Sequence, residues 1–342
     1  MHFEDANLTT GWAMGDIKSA SEKGVYGIVA LLGIIGNSIV CYVFLRRSSP
    51  HSRCSYFIFH LAVADLMACL LALPYHLLPL NVTFHDDNRV FGELICRLLL
   101  SKYPMWVCIN VSVNTLIVLT VERYVAVVHP LKYSVIFKRV CSRRLTICCW
   151  TLGIAGCGYF LFIYGLSKDG QCVKHTFTPP LKQLVGVCVF LSYFIAPLLT
   201  MLGAHLQMIN TLQNQAKTFA KQVEQTLENE GPPQIGKTEK GKWQTKKARK
   251  IQRLLFVVFL TYTACWAPNQ IIFLIYSVGG TIDFSSWYYH WSVAIALANS
   301  GINPFIYAVG SKRFRNEFTK MFHGCSKRSS QLTKVQYIGS CE

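Results

Sequence analysis

Long apolar segments separated by polar ones dominate the pattern of this 342-residue chain. A helix that crosses the roughly 30 Å hydrocarbon core of a bilayer needs about 20 mostly apolar residues. Seven segments meet this requirement: 25–45, 55–80, 96–126, 145–166, 183–209, 251–278 and 287–309. They are too long and too numerous for the buried helices of a soluble protein. We therefore predict an all-α membrane protein built as a seven-transmembrane helix bundle.

Polar segments at the two ends set the domain organisation. The N-terminal segment lacks the apolar stretch of a signal peptide. We expect four parts: an extracellular segment at 1–24, the bundle at 25–310, a surface helix at 311–323 and a cytoplasmic tail at 324–342. The short amphipathic eighth helix is predicted because apolar residues recur at helical spacing between basic ones, at Phe314, Phe318, Met321 and Phe322. Cys325 directly after it is a candidate for palmitoylation.

Prolines interrupt several of the apolar segments. They are Pro74, Pro104, Pro197, Pro268 and Pro304. In the interior of a helix in water, proline removes a hydrogen bond and clashes with the preceding turn. Inside a bundle, the freed carbonyl groups can be satisfied by neighbouring helices, by Ser or Thr side chains or by water. We therefore expect kinked spans and not broken ones.

The distribution of Lys and Arg predicts the orientation of the spans. The chain is 52% hydrophobic and only 15% charged, yet its formal net charge is +17. The connections after spans 1, 3, 5 and 7, together with Arg253 at the start of span 6, carry 25 Lys and Arg residues. The segments on the other side of the membrane, together with Arg97 and Lys102 of span 3, carry 8. Basic residues concentrate in cytoplasmic loops, so we predict an extracellular N-terminus and a cytoplasmic C-terminus in the plasma membrane. The basic excess then reflects topology and contact with anionic membrane lipid, and it does not indicate a nucleic-acid partner.

The predicted outer side carries its own chemical signals. Asn7 and Asn81 begin sequons for N-glycosylation, which occurs on that side. Of the 14 cysteines, only Cys96 and Cys172 lie near the oxidising face in this topology. We therefore predict a disulfide between Cys96, at the start of span 3, and Cys172, in the loop after span 4.

One acidic residue, Asp65, lies well inside a span. A buried carboxylate needs a cation, a proton or hydrogen-bond donors. Spans 3 and 7 offer polar partners, Ser112, Asn114, Asn299, Ser300 and Asn303. Such a group suits a small hard cation or ordered water, and a structural polar knot between helices is the alternative.

Two further motifs predict moving parts. Glu122 and Arg123, followed by Tyr124, close span 3 at its inner end, where an ion pair can be held and then released to a partner. An ordinary interfacial anchor is the alternative. In span 6, Trp266 lies beside Pro268, which weakens the helix and makes it a hinge. Simple core packing is the alternative there.

Taken in order, these motifs resemble the rhodopsin-like G-protein-coupled receptors over roughly residues 25–322. The matching positions are Gly36-Asn37, Asp65, Glu122-Arg123-Tyr124, Trp150, Pro197, Cys265 to Pro268, and Asn303 to Tyr307 with Pro304 between. Each is weak alone, whereas all seven in order are highly specific. The resemblance implies a receptor and not an enzyme, with an extracellular ligand, heterotrimeric G proteins, receptor kinases and arrestin as partners.

The resemblance also implies roles for single residues. An allosteric sodium ion, with no other cofactor, would be held by Asp65, Ser112, Asn299 and Asn303 and would favour the inactive state. Coupling and switching would depend on Glu122, Arg123, Tyr124, Trp266, Pro268, Asn303, Pro304 and Tyr307. The disulfide would tie the second outer loop to span 3.

Two features depart from the family pattern. Cys96 lies 27 residues before Arg123, two more than the family usually has, and Pro104 lies between them. We therefore expect span 3 to begin with a bulge or an irregular turn. His205 lies eight residues after Pro197, where the family usually has a tyrosine that helps to hold the active state. A histidine can make that step sensitive to pH.

Exclusions narrow the class of ligand. Span 3 has no Asp or Glu between Arg97 and Val121, unlike the amine receptors, and span 7 has no Lys for a retinal Schiff base. Aromatic and amide side chains in the outer half of the bundle form the candidate ligand site: Tyr75, His76, Met105, Trp106, Asn269, Gln270, Phe273, Trp287 and Trp291. This mixture suits amphipathic ligands, although an interfacial aromatic belt would look similar.

The favoured ligand is a neuropeptide. Pro268-Asn269-Gln270 resembles the pattern of many neuropeptide receptors. A lipid, a nucleotide or another small anion is the alternative, because Lys102 and Arg97 lie near the top of span 3. A transporter or channel is a less favoured class, since no internal repeat relates the halves of the chain.

Overall fold

The protein is an assembly of helices with one short hairpin, seen in a computed structural model that describes residues 20–46, 53–78, 82–175, 177–229 and 235–310. The helices are α1 (Ala20–Leu45), α2 (Arg53–Leu77), α3 (Arg89–Ile95), α4 (Tyr103–Val128), α5 (Pro130–Ile136), α6 (Arg139–Gly156), α7 (Phe160–Ile163), α8 (Pro179–Phe190), α9 (Ala196–Asn229), α10 (Ile235–Ser277) and α11 (Trp287–Gly310). The antiparallel strands are β1 (Tyr164–Leu166) and β2 (Cys172–Lys174). Tighter or wider turns occupy Asp86–Asn88 (3₁₀), Cys96–Leu100 (π) and Leu191–Ile195 (π).

Seven segments of the described chain are long and apolar enough to cross a membrane, as the sequence predicts. Spans 1, 2 and 7 are α1, α2 and α11, and span 6 is the C-terminal part of α10, Ala248–Ser277. The end of the bundle that carries β1 and β2 is called the outer end below, and the opposite end is called the inner end. Span 3 joins α3 to α4, span 4 is α6 with α7, and span 5 is α8 with α9. In span 3, 67% of the apolar window is buried, against 22% in spans 4 and 5. Span 3 is therefore central, and the exposed apolar side chains of spans 4 and 5 are suited to face lipid.

The inner extensions of spans 5 and 6 are longer than expected. The sequence predicts an irregular middle between 210 and 250 with helical ends. In the structure α9 continues to Asn229 and α10 begins at Ile235. This stretch is rich in Gln, Lys, Glu and Thr, and its Gln, Lys and Glu are good helix formers.

The outer end of span 3 contains the irregularity that the spacing of Cys96 and Arg123 predicts. After the π turn Cys96–Leu100 the chain passes through Ser101 and then Lys102, whose φ of 63° is left-handed. This irregular segment accommodates the two additional residues between Cys96 and Arg123 before α4 begins. Pro104 consequently lies in the first turn of α4, where a missing N–H removes no helical hydrogen bond. It therefore differs from the kinking proline that the sequence suggested.

Two of the other prolines free a carbonyl group that a neighbouring span satisfies. Pro197 cannot bond to the carbonyl four residues earlier, on Tyr193, and the Tyr262 hydroxyl of span 6 donates to that oxygen at 2.7 Å. Pro304 frees the carbonyl of Ser300, which accepts from Asn37 Nδ2 of span 1 at 2.9 Å. The prolines therefore connect spans as well as bend them.

Small residues allow α1 to approach its neighbours closely. A Cβ on Gly33 would lie 2.3 Å from Cys69 Sγ on α2, and one on Gly36 would lie 2.9 Å from Pro304 on α11. Close helix approach through small residues is characteristic of membrane bundles.

The β1–β2 hairpin covers the outer end of the bundle. Cys172 on β2 forms the predicted disulfide with Cys96, across a sequence separation of 76 residues. The first outer loop joins the hairpin through the amide of Phe84, which donates to the carbonyl of Gly170 at 2.9 Å. Gly170 has a φ of +73°, which favours glycine at this turn. The hairpin is thus attached at its turn, by the disulfide to span 3 and by a backbone hydrogen bond to the first outer loop.

Several predictions fall outside the described residues. These are the sequon asparagines Asn7 and Asn81, the eighth helix at 311–323, Cys325 and the tail at 324–342. They remain predictions.

Candidate ligand cavity and inner switch

A cavity of about 210 Å³ lies at the outer end of the bundle, below the hairpin. All seven spans and both strands of the hairpin contribute residues to its wall. Its lining combines aromatic, amide and basic side chains, among them Tyr26, His76, Lys102, Trp106, Asn110, Tyr164, Lys174, Lys182, Gln270, Tyr276, Phe284, Tyr289 and His290. No Asp or Glu occurs among the described residues that line it. The cavity therefore offers positive charge, aromatic surface and hydrogen-bonding groups.

Most of the predicted ligand residues meet at this cavity. Those lining it are His76, Met105, Trp106, Asn269, Gln270 and Phe273. Tyr75 is instead buried in the main hydrophobic core and does not line the cavity. Trp287 and Trp291 are 69% and 44% exposed and do not line the cavity. A helix turns by 100° per residue, so Tyr289 and His290, between those two tryptophans, face the interior in their place.

Several lining groups are buried without a hydrogen-bond partner among the described residues. The atoms that lack a partner are both ring nitrogens of His76, Nε2 of His290 and Oε1 of Gln270. The ring of His76 stacks on Tyr26 with centroids 3.9 Å apart, and the Tyr26 hydroxyl donates to the carbonyl of His290 at 2.8 Å. Buried polar groups generally need partners, so this wall is suited to a ligand that both donates and accepts.

A second polar group lies at the middle of the bundle, around Asp65. The carboxylate is fully buried and accepts from Asn303 Nδ2 at 2.9 Å. Asp65 Oδ1, Ser112 Oγ, Asn299 Oδ1 and Asn303 Oδ1 are buried oxygens with no hydrogen-bond partner among the described residues. The structure thus gathers oxygen atoms from spans 2, 3 and 7 in one place. Asn114, which the sequence also offered, points elsewhere, since its amide donates to the carbonyl of Cys149 at 3.3 Å.

The inner end of span 3 carries a closed ion pair. The guanidinium of Arg123 donates to both carboxylate oxygens of Glu122, whose side chain is fully buried. Tyr133 of α5 joins the pair: its hydroxyl donates to Glu122 and accepts from Arg123 Nη2 at 3.2 Å. Tyr124, also assigned to coupling, instead donates through its hydroxyl to Gln207 at 2.8 Å. No motif in the sequence indicated that Tyr133 takes part in this ion pair.

Comparison with known proteins identifies this arrangement. Residues 36–307 match the family described as "7 transmembrane receptor (rhodopsin family)". The chain belongs to the rhodopsin family of seven-transmembrane receptors. It is also similar to the human galanin receptor type 1, with 27% identity over 325 residues, which cover 91% of this chain and 84% of that protein.

Membership of the rhodopsin family fixes the general function. The protein is a multi-pass membrane receptor that binds an extracellular ligand and G proteins, and it is not an enzyme. This excludes the transporter and channel alternative. The similarity to a neuropeptide receptor supports the branch that the sequence favoured.

In this rhodopsin-family receptor, Trp266 lies in the wall of the outer cavity, two residues before Pro268 of span 6. Its indole lines the cavity, is 2% exposed, and has no partner for Nε1 among the described residues. Tyr262 lies one turn further in, with ring centroids 6.3 Å apart, and Pro268 lies two residues further out. A ligand that displaces Trp266 would therefore act directly on the weakened part of the receptor's sixth span.

His205 of the receptor packs against rings of span 6. Its ring is fully buried, with centroids 5.5 Å from Phe256 and 5.6 Å from Phe259. Neither of its nitrogens has a hydrogen-bond partner among the described residues. In this arrangement the side chain is part of the interface between spans 5 and 6.

Several residues that line the receptor's cavity were not predicted from the sequence. The position of Lys174 could have been predicted, because it lies two residues after the disulfide cysteine Cys172 and must therefore lie over span 3. The direction of Tyr289 could also have been predicted, since it lies 14 residues, nearly four whole turns, before Asn303 and therefore on the same face of the helix. Arg97, in contrast, was considered as a contact for an anionic ligand, but it pairs with Glu93 at 2.8 Å and does not line the cavity.

Proposed function

We propose that this receptor binds a neuropeptide in the outer cavity and activates heterotrimeric G proteins. The observation that carries the proposal is the lining itself, which joins large aromatic surface to buried hydrogen-bonding groups from His76, Gln270 and His290. A peptide offers both apolar side chains and an alternation of donors and acceptors. The similarity to the galanin receptor type 1 supports the same class.

The size of the cavity supports a ligand that enters only in part. Its volume of about 210 Å³ is below the roughly 300–1,000 Å³ of pockets that enclose a drug-sized ligand. A terminal segment of a peptide fits this space, with the remainder contacting the hairpin and the outer loops.

Signal transfer is proposed to run along span 6. The ligand contacts Trp266, the segment around Pro268 bends, and the inner end of α10 moves outward. Arg123 then leaves Glu122 and Tyr133 and contacts the G protein. Orientation in the plasma membrane with the N-terminus outside, and later binding of receptor kinases and arrestin to the inner face, complete the proposal.

A screen for ligands tests the class. Peptide, lipid and nucleotide libraries are applied to cells expressing the receptor, with calcium and cyclic AMP as readouts and untransfected cells as the control. Activation by peptides, reproduced as nucleotide exchange on a G protein added to the purified receptor, supports the proposal. Activation only by lipids or nucleotides would overturn the choice of ligand.

Trp266→Ala is expected to reduce the maximal peptide response about fivefold or more, because the contact between ligand and hinge is lost. Peptide binding to the purified receptor should persist, since many other lining residues remain. Trp287→Ala is the matched variant, at the exposed position that the sequence had assigned to the site. An unchanged response in Trp266→Ala at equal surface expression would contradict the proposed route.

The group around Asp65 fits a small cation. Its buried oxygens without partners, one of them from a carboxylate, are the ligands that hard cations prefer. We propose that Asp65, Ser112, Asn299 and Asn303 hold a sodium ion. When bound, the ion would neutralise the carboxylate and hold spans 2, 3 and 7 together.

Replacing Asp65 by Asn is therefore expected to remove the effect of sodium on agonist affinity. In the wild-type receptor, agonist binding should be about fivefold or more weaker in sodium chloride than in choline chloride, because sodium favours the inactive state. Asp283→Asn, in the outer loop before α11, is the matched control and should keep the full effect. Competition binding in the two salts measures it, and an equal sodium effect in Asp65→Asn would exclude this site.

A further inference from the structure

Two lysines of the cavity wall share one aromatic ring. Lys182, in the first turn of α8, places Nζ 3.6 Å from the centroid of the Tyr276 ring. Lys174, at the end of β2, places Nζ 5.3 Å from the same centroid and 4.8 Å from that of Phe284. The two distances to Tyr276 limit the separation of the nitrogens to about 9 Å. Both lysines are partly buried.

The described residues around these lysines offer aromatic faces. Tyr276 and Phe284 meet edge to face with centroids 4.8 Å apart, and Tyr289 continues the aromatic wall. No Asp or Glu is among the described residues that line the cavity. A cation over an aromatic ring is attracted by the negative face of that ring. A carboxylate placed between the two ammonium groups would add charge-assisted hydrogen bonds, which are stronger than neutral ones.

The position of Lys174 is fixed before any ligand arrives. The strand pairing sets it opposite Tyr164, and the disulfide at Cys172 lies two residues away. Burial first, and then the charge of Lys182, lower the pKa of Lys174 from 10.5 to about 8. The two cations therefore repel each other in a partly desolvated place, and a bound anion would relieve that repulsion.

We infer that Lys174 and Lys182 form a recognition site for a carboxylate of the bound peptide, enclosed by the rings of Tyr276 and Phe284. The inference deepens the proposed function and rests on it, since it specifies which chemical group the peptide must carry. A carboxylate is the anion to expect here because the proposed ligand is a peptide, whose ordinary anionic groups are acidic side chains and the free C-terminus. The carboxylate can come from an acidic side chain or from the free C-terminus.

Binding of the carboxylate is expected to weaken as the pH rises through about 8. The Lys174 amine loses its proton there, whereas a bound carboxylate keeps it protonated to higher pH. Affinity should therefore fall about tenfold between pH 7 and pH 9. The other titratable or charged groups near Lys174 are Lys182 of α8, Tyr276 of α10, Tyr164 of β1 and the adjacent His175. Burial raises the pKa of Tyr164, so it remains neutral in this range. The pH profile of Lys174→Met should be flatter.

Three blocked dipeptides serve as probes for the purified full-length receptor. Acetyl-aspartyl-tryptophan amide carries only a side-chain carboxylate, acetyl-asparaginyl-tryptophan carries only a terminal one, and acetyl-asparaginyl-tryptophan amide is neutral. The dissociation constant of each is obtained from the rise of the unfolding temperature with concentration. We expect at least one acidic probe to bind about tenfold more tightly than the neutral one, and the stronger acidic probe identifies the source of the carboxylate.

Variants locate the site. Lys174→Met and Lys182→Met should each abolish most of the preference for acid while leaving the neutral probe bound, which shows that the receptor is folded. Lys168→Met, an exposed position in the same hairpin, should keep the full preference. Equal binding of all three probes to the wild-type receptor, or a preference that survives in both variants, would overturn the inference. Either result would leave the peptide proposal intact, because that proposal is decided by the ligand screen.

Discussion

Replacing Glu122 by glutamine is expected to raise the basal rate of nucleotide exchange on the G protein about tenfold. The carboxylate is fully buried and accepts from both Arg123 and Tyr133. A hydrogen bond to a charged group contributes about 1.5–3 kcal/mol. If about 1.4 kcal/mol of this is lost from the inactive arrangement alone, the active fraction rises tenfold. Nucleotide exchange without agonist, measured with purified receptor and G protein, tests this directly.

A matched variant and a partial one refine the experiment on Glu122. Glu93→Gln removes a carboxylate that pairs with an arginine four residues away on the outer side, where both side chains are about one-third exposed. Such exposed pairs contribute little, so its basal rate should equal that of the wild type. Tyr133→Phe removes only the hydroxyl that joins Glu122 to Arg123, and its increase should be smaller, about two- to threefold. A basal rate in Glu122→Gln equal to the wild type, at normal unfolding temperature, would mean that the pair does not restrain activation.

Removing the disulfide is expected to have the second large effect. Cys172→Ala releases β2 from the outer end of span 3, and with it the cavity wall that carries Lys174. Loss of a native disulfide commonly destabilises a fold by about 2–5 kcal/mol. If about 2 kcal/mol of this appears as lost preorganisation, agonist affinity falls about 30-fold. The agonist concentration that gives a half-maximal response, corrected for surface expression, measures the loss.

Further variants separate the bridge from the loss of a thiol. Cys96→Ala and the Cys96→Ala/Cys172→Ala double variant should match Cys172→Ala, because all three remove one and the same covalent bond. Cys148→Ala removes an exposed free cysteine of span 4 and should be close to wild type. If Cys172→Ala bound agonist with unchanged affinity, the hairpin would be held in place without its covalent link.

Much of the architecture follows from the sequence because the bilayer restricts the choices. Every backbone group in hydrocarbon must be satisfied, so long apolar segments must be helices. The seven segments follow from the apolar pattern, and the pairing of Cys96 with Cys172 follows from the topology that this pattern predicts. The irregular start of span 3 follows from the comparison of its length with the family pattern. The contact of Asp65 with Asn303 was also predictable, because polar groups in such segments have few other places to go.

The motifs of the sequence alone also determined the receptor class. They determined the position of the inner ion pair too, since Glu122 and Arg123 are neighbours on one helix. Only the tertiary structure decided which side chains line the cavity, because the direction of a side chain depends on the rotation of its helix. A π turn or a left-handed residue such as Lys102 shifts that rotation by an amount that spacing does not reveal. The aromatic site of Lys174 and Lys182 depends further on a hairpin, two helix ends and a loop meeting in space. Contacts of that kind are set by packing between segments distant in sequence and not by the pattern within any one of them.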